Sequence, residues 1–149
     1  MFVRTLLTIS IAIFSFACVN EAPKEEISKE QLEKVDQFVS LQFDFGDKKE
    51  LKTIAQIPWT AKMTVDDALD RAKELQQNID YSFEKFGAAG RFYTSFDSMF
   101  INKEAKEYWL LCVNDTSSTV GSSSRTLKPN DVVQWNLSNW DNLKCIKMN

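Results

Sequence analysis

The residues of this chain best equipped for chemistry are carboxylates, glycines, tryptophans and three cysteines, because the sequence contains no histidine. That composition removes every Ser-His or Cys-His catalytic pair, every histidine zinc site and the usual general base near neutral pH. Asp66, Asp67 and Asp70 form an acidic cluster. At helical spacing Asp66 and Asp70 share a face, which reads as solvated, while Asp67 serves as a cap. Gly87-Ala88-Ala89-Gly90 has the look of a phosphate loop, but no Lys-Ser or Lys-Thr follows it, so it reads as a turn between strands. Asn114-Asp115 and Asn130-Asp131 lack metal-loop spacing and read as turns. Trp109 and Trp135 can line a ligand surface, although burial in a strand is the ordinary fate of such residues. No nucleophile stands beside an activating base, so the expectation is a binding protein and not an enzyme.

The chain has 149 residues, 44% of them hydrophobic, with a formal net charge of −3. That length supports one core-bearing domain. Eleven Phe and four Trp supply bulky core material, so wholesale disorder is excluded. The mild acidity gives no basic footprint for nucleic acid.

The N-terminus reads as an export signal. Arg4 precedes an apolar run from Leu6 to Ala17, too short to span a bilayer and of signal-peptide length. Ser15-Phe16-Ala17-Cys18 resembles a bacterial lipobox, with Ser15 where leucine is usual. The resemblance implies cleavage after residue 17 and lipidation of Cys18, hence a membrane-anchored lipoprotein of the cell envelope, on its periplasmic or surface side. Residues 18–35, with Pro23 and several Glu and Lys, suit a solvated tether. Removing residues 1–17 takes away only Arg4 among the charges, leaving an acidic domain over residues 36–149. Cys112 and Cys145 make an even pair and so a disulfide candidate in an oxidising compartment. The position of Cys112 inside an apolar strand favours a small core residue instead. Asn114-Asp115-Thr116 and Asn136-Leu137-Ser138 match the glycosylation pattern, which is idle in a bacterial lipoprotein.

The elements that must position these residues follow from periodicity. Val39, Leu41, Phe43 and Phe45 alternate with polar residues as a half-buried strand, Gly46-Asp47-Lys48 turns the chain, and Leu51 to Ile57 returns as a hairpin strand. Thr64 with Asp67 marks a helix start, and Val65, Ala68, Leu69, Ala72 and Leu75 recur at helical spacing as far as Gln77-Asn78. Tyr81 to Phe86, Arg91 to Phe96, Tyr108 to Val113 and Val132 to Leu137 read as further strands, with a polar loop from Asn114 to Arg125. This order predicts an α+β fold, a β-grasp-like mixed sheet packed on one main helix.

Thr64-Val65-Asp66-Asp67-Ala68-Leu69, Tyr108-Trp109-Leu110-Leu111, Gly121 and Val132-Val133-Gln134-Trp135 together resemble the C-terminal domain of the transcobalamin and intrinsic factor family, over roughly residues 36 to 137. The resemblance implies a soluble-ligand-binding β-grasp module that covers one face of cobalamin or a similar corrinoid. By position it puts Tyr93, Leu111 and Ser118 at the ligand, with Gly90 permitting close approach. The strand alternation around Tyr93 predicts a displayed ring there and a buried Phe92. The chain departs from the family in carrying Ser118 where an apolar side chain is common, and Ala89 where tryptophan often precedes the glycine. The large helical domain that encloses cobalamin's other face is absent from these 149 residues. Two functions of different class follow: a small-molecule-binding module, or a non-catalytic interaction or structural module that contacts an envelope protein.

Overall fold

The computed structural model describes residues 37–87 and 90–147. The expected export signal, Cys18 and the expected tether lie outside the described residues, as do Ala88 and Ala89.

Strand β1 (Phe38–Asp44) alternates inward Val39, Leu41 and Phe43 with half-buried polar residues. A short 3-10 turn over Gly46–Lys48 sends the chain back as β2 (Lys52–Pro58), antiparallel to β1. The register slips between Val39 and Leu41, opposite Gln56 at φ +58°, as a bulge requires. Helix α1 (Val65–Glu74) opens on the expected capping box, with the Thr64 hydroxyl accepting from Asp67 N–H and the Asp67 carboxylate accepting from Thr64 N–H. Val65, Ala68, Leu69 and Ala72 are fully buried along one stripe. The helix ends before Gln77-Asn78. Gln76 turns into the left-handed region at φ +55°, its N–H bonding to Lys73 O while Gln77 N–H bonds to Ala72 O, a Schellman closure. Leu75 is left half-buried.

Strands β3 (Tyr81–Lys85), β4 (Arg91–Phe96) and β5 (Met99–Phe100) form a three-stranded antiparallel sheet. Strand β6 (Tyr108–Val113) turns through Asn114 and Asp115, both at positive φ as a two-residue hairpin needs, into the short β7 (Thr116–Ser117). Strand β8 (Val132–Ser138) then enters the middle of the main sheet, whose order is β2-β1-β8-β6-β7. It runs parallel to β1, with Leu41 opposite Val133 and Phe43 opposite Trp135, and antiparallel to β6. A hairpin, a crossing helix and a returning strand parallel to the first make a β-grasp-like α+β fold, as the element order predicts. The short β5 and β7 are additions, since two-residue strands leave no periodicity to read.

The inward face of the main sheet, α1, and Tyr93 and Phe96 of β4 share one core. Leu110, Cys112, Gln134 and Asn136 point to the other face, and the C-terminal segment returns to cover it. The fully buried Gln134 side chain donates to Ile146 O at 2.7 Å and accepts from Ile146 N at 3.0 Å. Beside it Cys112 and Cys145 form a disulfide, their Cα atoms 5.9 Å apart. This corrects the reading of Cys112 as a free core thiol. Cys112 is buried, but on the face where the tail passes, a return that no local pattern announces.

Candidate functional site

The four positions implied by family resemblance meet different fates. Tyr93, Leu111 and Ser118, far apart in sequence, all line one pocket of about 390 Å³ between β4, β6 and the loop after β7. Gly90 is not part of that lining. Its φ is +87°, and an added Cβ would sit 2.1 Å from Ser123 Oγ. Glycine is required there so that Ser123, not a ligand, can come close.

The expectation for Tyr93 and Phe92 is reversed. Tyr93 is 2% exposed, packed against Phe96 and Trp135 at centroid distances of 5.1 and 4.9 Å, while Phe92 is only half-buried. The reason is Asp66. Its Oδ1 accepts the Tyr93 hydroxyl at 2.8 Å, which satisfies the phenol and lets the ring enter the core. Burial raises the Tyr93 hydroxyl's pKa; Arg91 lowers it, Asp66 adds to the rise, and the net shift is upward.

The acidic cluster needs the same correction. Asp67 caps the helix, but Asp66 is buried and Asp70 half-buried, and neither belongs to a purely solvated face. Arg91 on β4 grips both Asp70 oxygens at 2.7 Å, and its Nε lies 3.5 Å from Asp66 Oδ2. Tyr81 donates to Asp70 Oδ1 at 2.6 Å, and Ser123 donates to Asp66 Oδ2 at 2.5 Å. Helix spacing puts Asp66 and Asp70 together, but only the packing of β4 onto that flank decides that they face cations and hydroxyls. The network joins α1, β4 and the loop after β7, and so braces one wall of the pocket.

The pocket is aromatic and largely apolar. Leu111, Trp135, Tyr93 and Trp109 are buried residues of its lining, and Phe92 and Tyr108 stand beside them. Val120 (47% exposed) and Trp140 (65% exposed) are its open rim. Phe86 meets Phe92 edge-on at 5.6 Å, and Phe92 lies 6.4 Å from Tyr108, which extends the aromatic surface past the mouth. Trp109 and Trp135 therefore satisfy both readings, being core residues that also line the pocket. Sequence reasoning missed Phe92, Tyr108, Val120 and Trp140 as lining. The alternation around Tyr93 puts Phe92 inward and so misses it, while Tyr108 enters the sequence reading only as part of the Tyr-Trp strand. Trp140 sits in a 3-10 turn (Trp140–Asn142) capped by Asn139, with no periodic signal.

The glycosylation patterns are structurally committed. Asn114 Nδ2 donates to Asp131 at 2.7 Å and Asn136 is 3% exposed. Among the described residues no three His, Cys, Asp or Glu side chains gather as a metal set, and no helix is long and apolar enough to cross a membrane.

Fold and pocket together define a β-grasp-like domain with a largely apolar, aromatic-walled concavity at the junction of its two sheets. Residues 63–139, just over half of the chain, match DUF4430, a domain of unknown function. The chain belongs to that family. No curated protein matches it in sequence. Among solved structures it is similar to a protein of Ruminococcus gnavus ATCC 29149 provisionally described as metal-binding, with 13% identity and a TM-score of 0.51 over 70% of this chain and 98% of that one. It is also similar to haptocorrin in complex with Cbi, with 14% identity and a TM-score of 0.52 over 67% of this chain. The chain spans about a quarter of haptocorrin's length, since 25% of that chain is covered. These likenesses establish the shared fold.

Proposed function

We propose that this chain is a non-catalytic binding module of the transcobalamin C-terminal type, exported and lipid-anchored, which takes cobalamin or a similar corrinoid through one face. The observation that carries the reading is the pocket. Tyr93, Leu111 and Ser118, chosen by resemblance to a cobalamin-covering domain, line a single aromatic concavity of about 390 Å³. Haptocorrin, whose solved complex with Cbi shares this fold, supports the same ligand class. A corrinoid offers a wide, partly apolar face ringed by amides, which suits aromatic walls and backbone hydrogen bonds without a charged anchor. It would lie across the mouth, and with one face covered the affinity should fall below that of a two-domain carrier.

The test is a titration of the purified chain with cobinamide and with cobalamin, read by tryptophan fluorescence. Phe92→Ala and Trp140→Ala should each weaken binding by about tenfold, as loss of an aromatic contact does, without lowering Tm. Leu51→Ala, exposed but outside the pocket, should change nothing. Tyr93→Ala is the wrong probe, because it strips a buried partner from Asp66. No binding of either corrinoid at high micromolar protein would remove the ligand assignment.

Anchoring has its own test. Cys18 follows a short apolar run and a small residue, and the several acyl chains of a lipoprotein anchor stably where one chain would not. Cys18→Ser should abolish fatty-acid labelling. Persistent labelling of the variant would mean the lipobox reading is wrong.

The second reading, an envelope-protein interaction module, draws on Phe100 (64% exposed), an apolar side chain outside the pocket lining. An envelope protein that crosslinks at position 100, and still does so in Trp140→Ala, would put that reading first.

A further inference from the structure

Two residues that line the pocket each carry a buried hydrogen-bonding group with no protein partner. They are Ser122 Oγ and Trp135 Nε1, in residues 3% and 4% exposed. The contrast with the other packed indoles is direct. Trp59 donates to the Leu127 carbonyl at 2.8 Å and Trp109 to the Met99 carbonyl at 3.0 Å. An indole N–H can only donate, and leaving it unmet in a buried place forfeits its hydration. A hydroxyl can donate as well, so each group calls for an acceptor oxygen.

The charge of the lining narrows the ligand further. Arg91 is the one charged residue among the lining residues, and its guanidinium is occupied by Asp70 and Asp66. Nothing is left over to neutralise a buried anion, whose desolvation would go uncompensated. We propose that the pocket selects an uncharged ligand presenting a carbonyl-type acceptor on an apolar body, with Ser122 Oγ and Trp135 Nε1 as its donors. The proposal rests on reading this pocket as a ligand site, but not on the ligand being a corrinoid.

Three small probes separate these features. Phenylacetamide carries a ring for the aromatic walls and a neutral acceptor; ethylbenzene lacks the acceptor; phenylacetate adds a charge. Fragments of this size bind at roughly millimolar concentration at best. In the purified ¹⁵N-labelled full chain, phenylacetamide should move the Trp135 indole N–H signal downfield in a saturable way. Ethylbenzene should bind without that shift, and phenylacetate should bind at least about tenfold more weakly than phenylacetamide. Ser122→Ala should weaken phenylacetamide by about three- to ten-fold, as loss of one hydrogen bond does, and leave ethylbenzene unaffected. Its Tm should not drop, because the hydroxyl it removes bonds to nothing in the folded protein. The Trp135 signal is identified by its loss in Trp135→Phe, or by through-bond assignment of the wild type if that variant does not fold.

An indole signal that ignores phenylacetamide, or responds equally to ethylbenzene, overturns the proposal. So does an unchanged phenylacetamide affinity in Ser122→Ala. Cobinamide separates this inference from the reading beneath it. If cobinamide does not bind while phenylacetamide gives the expected pattern, the corrinoid assignment falls and the two donors stand. If cobinamide binds wild type and Ser122→Ala equally, the donors fall and the corrinoid stands.

Discussion

Asp66→Ala is expected to destabilise the domain by about 3–5 kcal/mol, the cost of stripping one partner from a buried charged network. The Asp66 carboxylate accepts from Tyr93 at 2.8 Å and Ser123 at 2.5 Å, with Arg91 Nε 3.5 Å away. Alanine leaves two hydroxyls unmet and withdraws the brace between α1 and the loop carrying Ser122 and Ser123. Urea unfolding of wild type, Asp66→Ala, Tyr93→Phe and the double variant checks this. The double variant should cost clearly less than the two single losses combined, because removing both partners leaves fewer orphaned groups. Strict additivity would show that the contact carries no energy.

Asp70, one turn on, behaves differently. Burial pushes its carboxyl up, but the hydrogen bonds from Arg91 and Tyr81 outweigh that and hold it below the ordinary 3.8. A depressed folded pKa contributes stability above the unfolded value and loses it as pH falls through the folded one. The stability gap between wild type and Asp70→Asn should be full above about pH 4 and close below it. Its size is about 1 kcal/mol, because the side chain is 41% exposed and water screens the pair.

Leu69→Ala should cost about 2–5 kcal/mol, through lost transfer energy and the cavity left behind. Leu69 is 0% exposed at the centre of the α1 stripe, between Val65 and Ala72, which are equally buried. The neighbours are sheet strands locked by long-range pairing, so the site has little freedom to collapse. On the outer face, Glu74→Ala should stay within about 0.5 kcal/mol, since its carboxylate is 72% exposed and makes only an i,i+3 contact with Arg71. Denaturant midpoints for the two variants decide it. Equal shifts would mean that the helix faces are misassigned.

The sequence by itself determined the features whose causes are local. Alternation from Val39 to Phe45, the Thr64–Asp67 capping box and the apolar stripe through Leu69 each come from side chains a few residues apart, and all appear in the structure as read. So did the order of hairpin, helix and strands, and with it the β-grasp-like class, because element order restricts which strands can become neighbours.

The tertiary structure decided every outcome that depended on a distant partner. Tyr93 turned inward because a helix carboxylate 27 residues away accepts its hydroxyl. Asp66 and Asp70 left the solvated face because Arg91 arrived from β4. Cys112 became a disulfide partner because the C-terminal segment, tied to Gln134, crosses that face of the sheet. The pocket is of the same kind. Its walls come from β4, β6, the loop after β7 and the turn at Trp140, which side-chain periodicity cannot bring together because it reports only which way each residue faces along its own element.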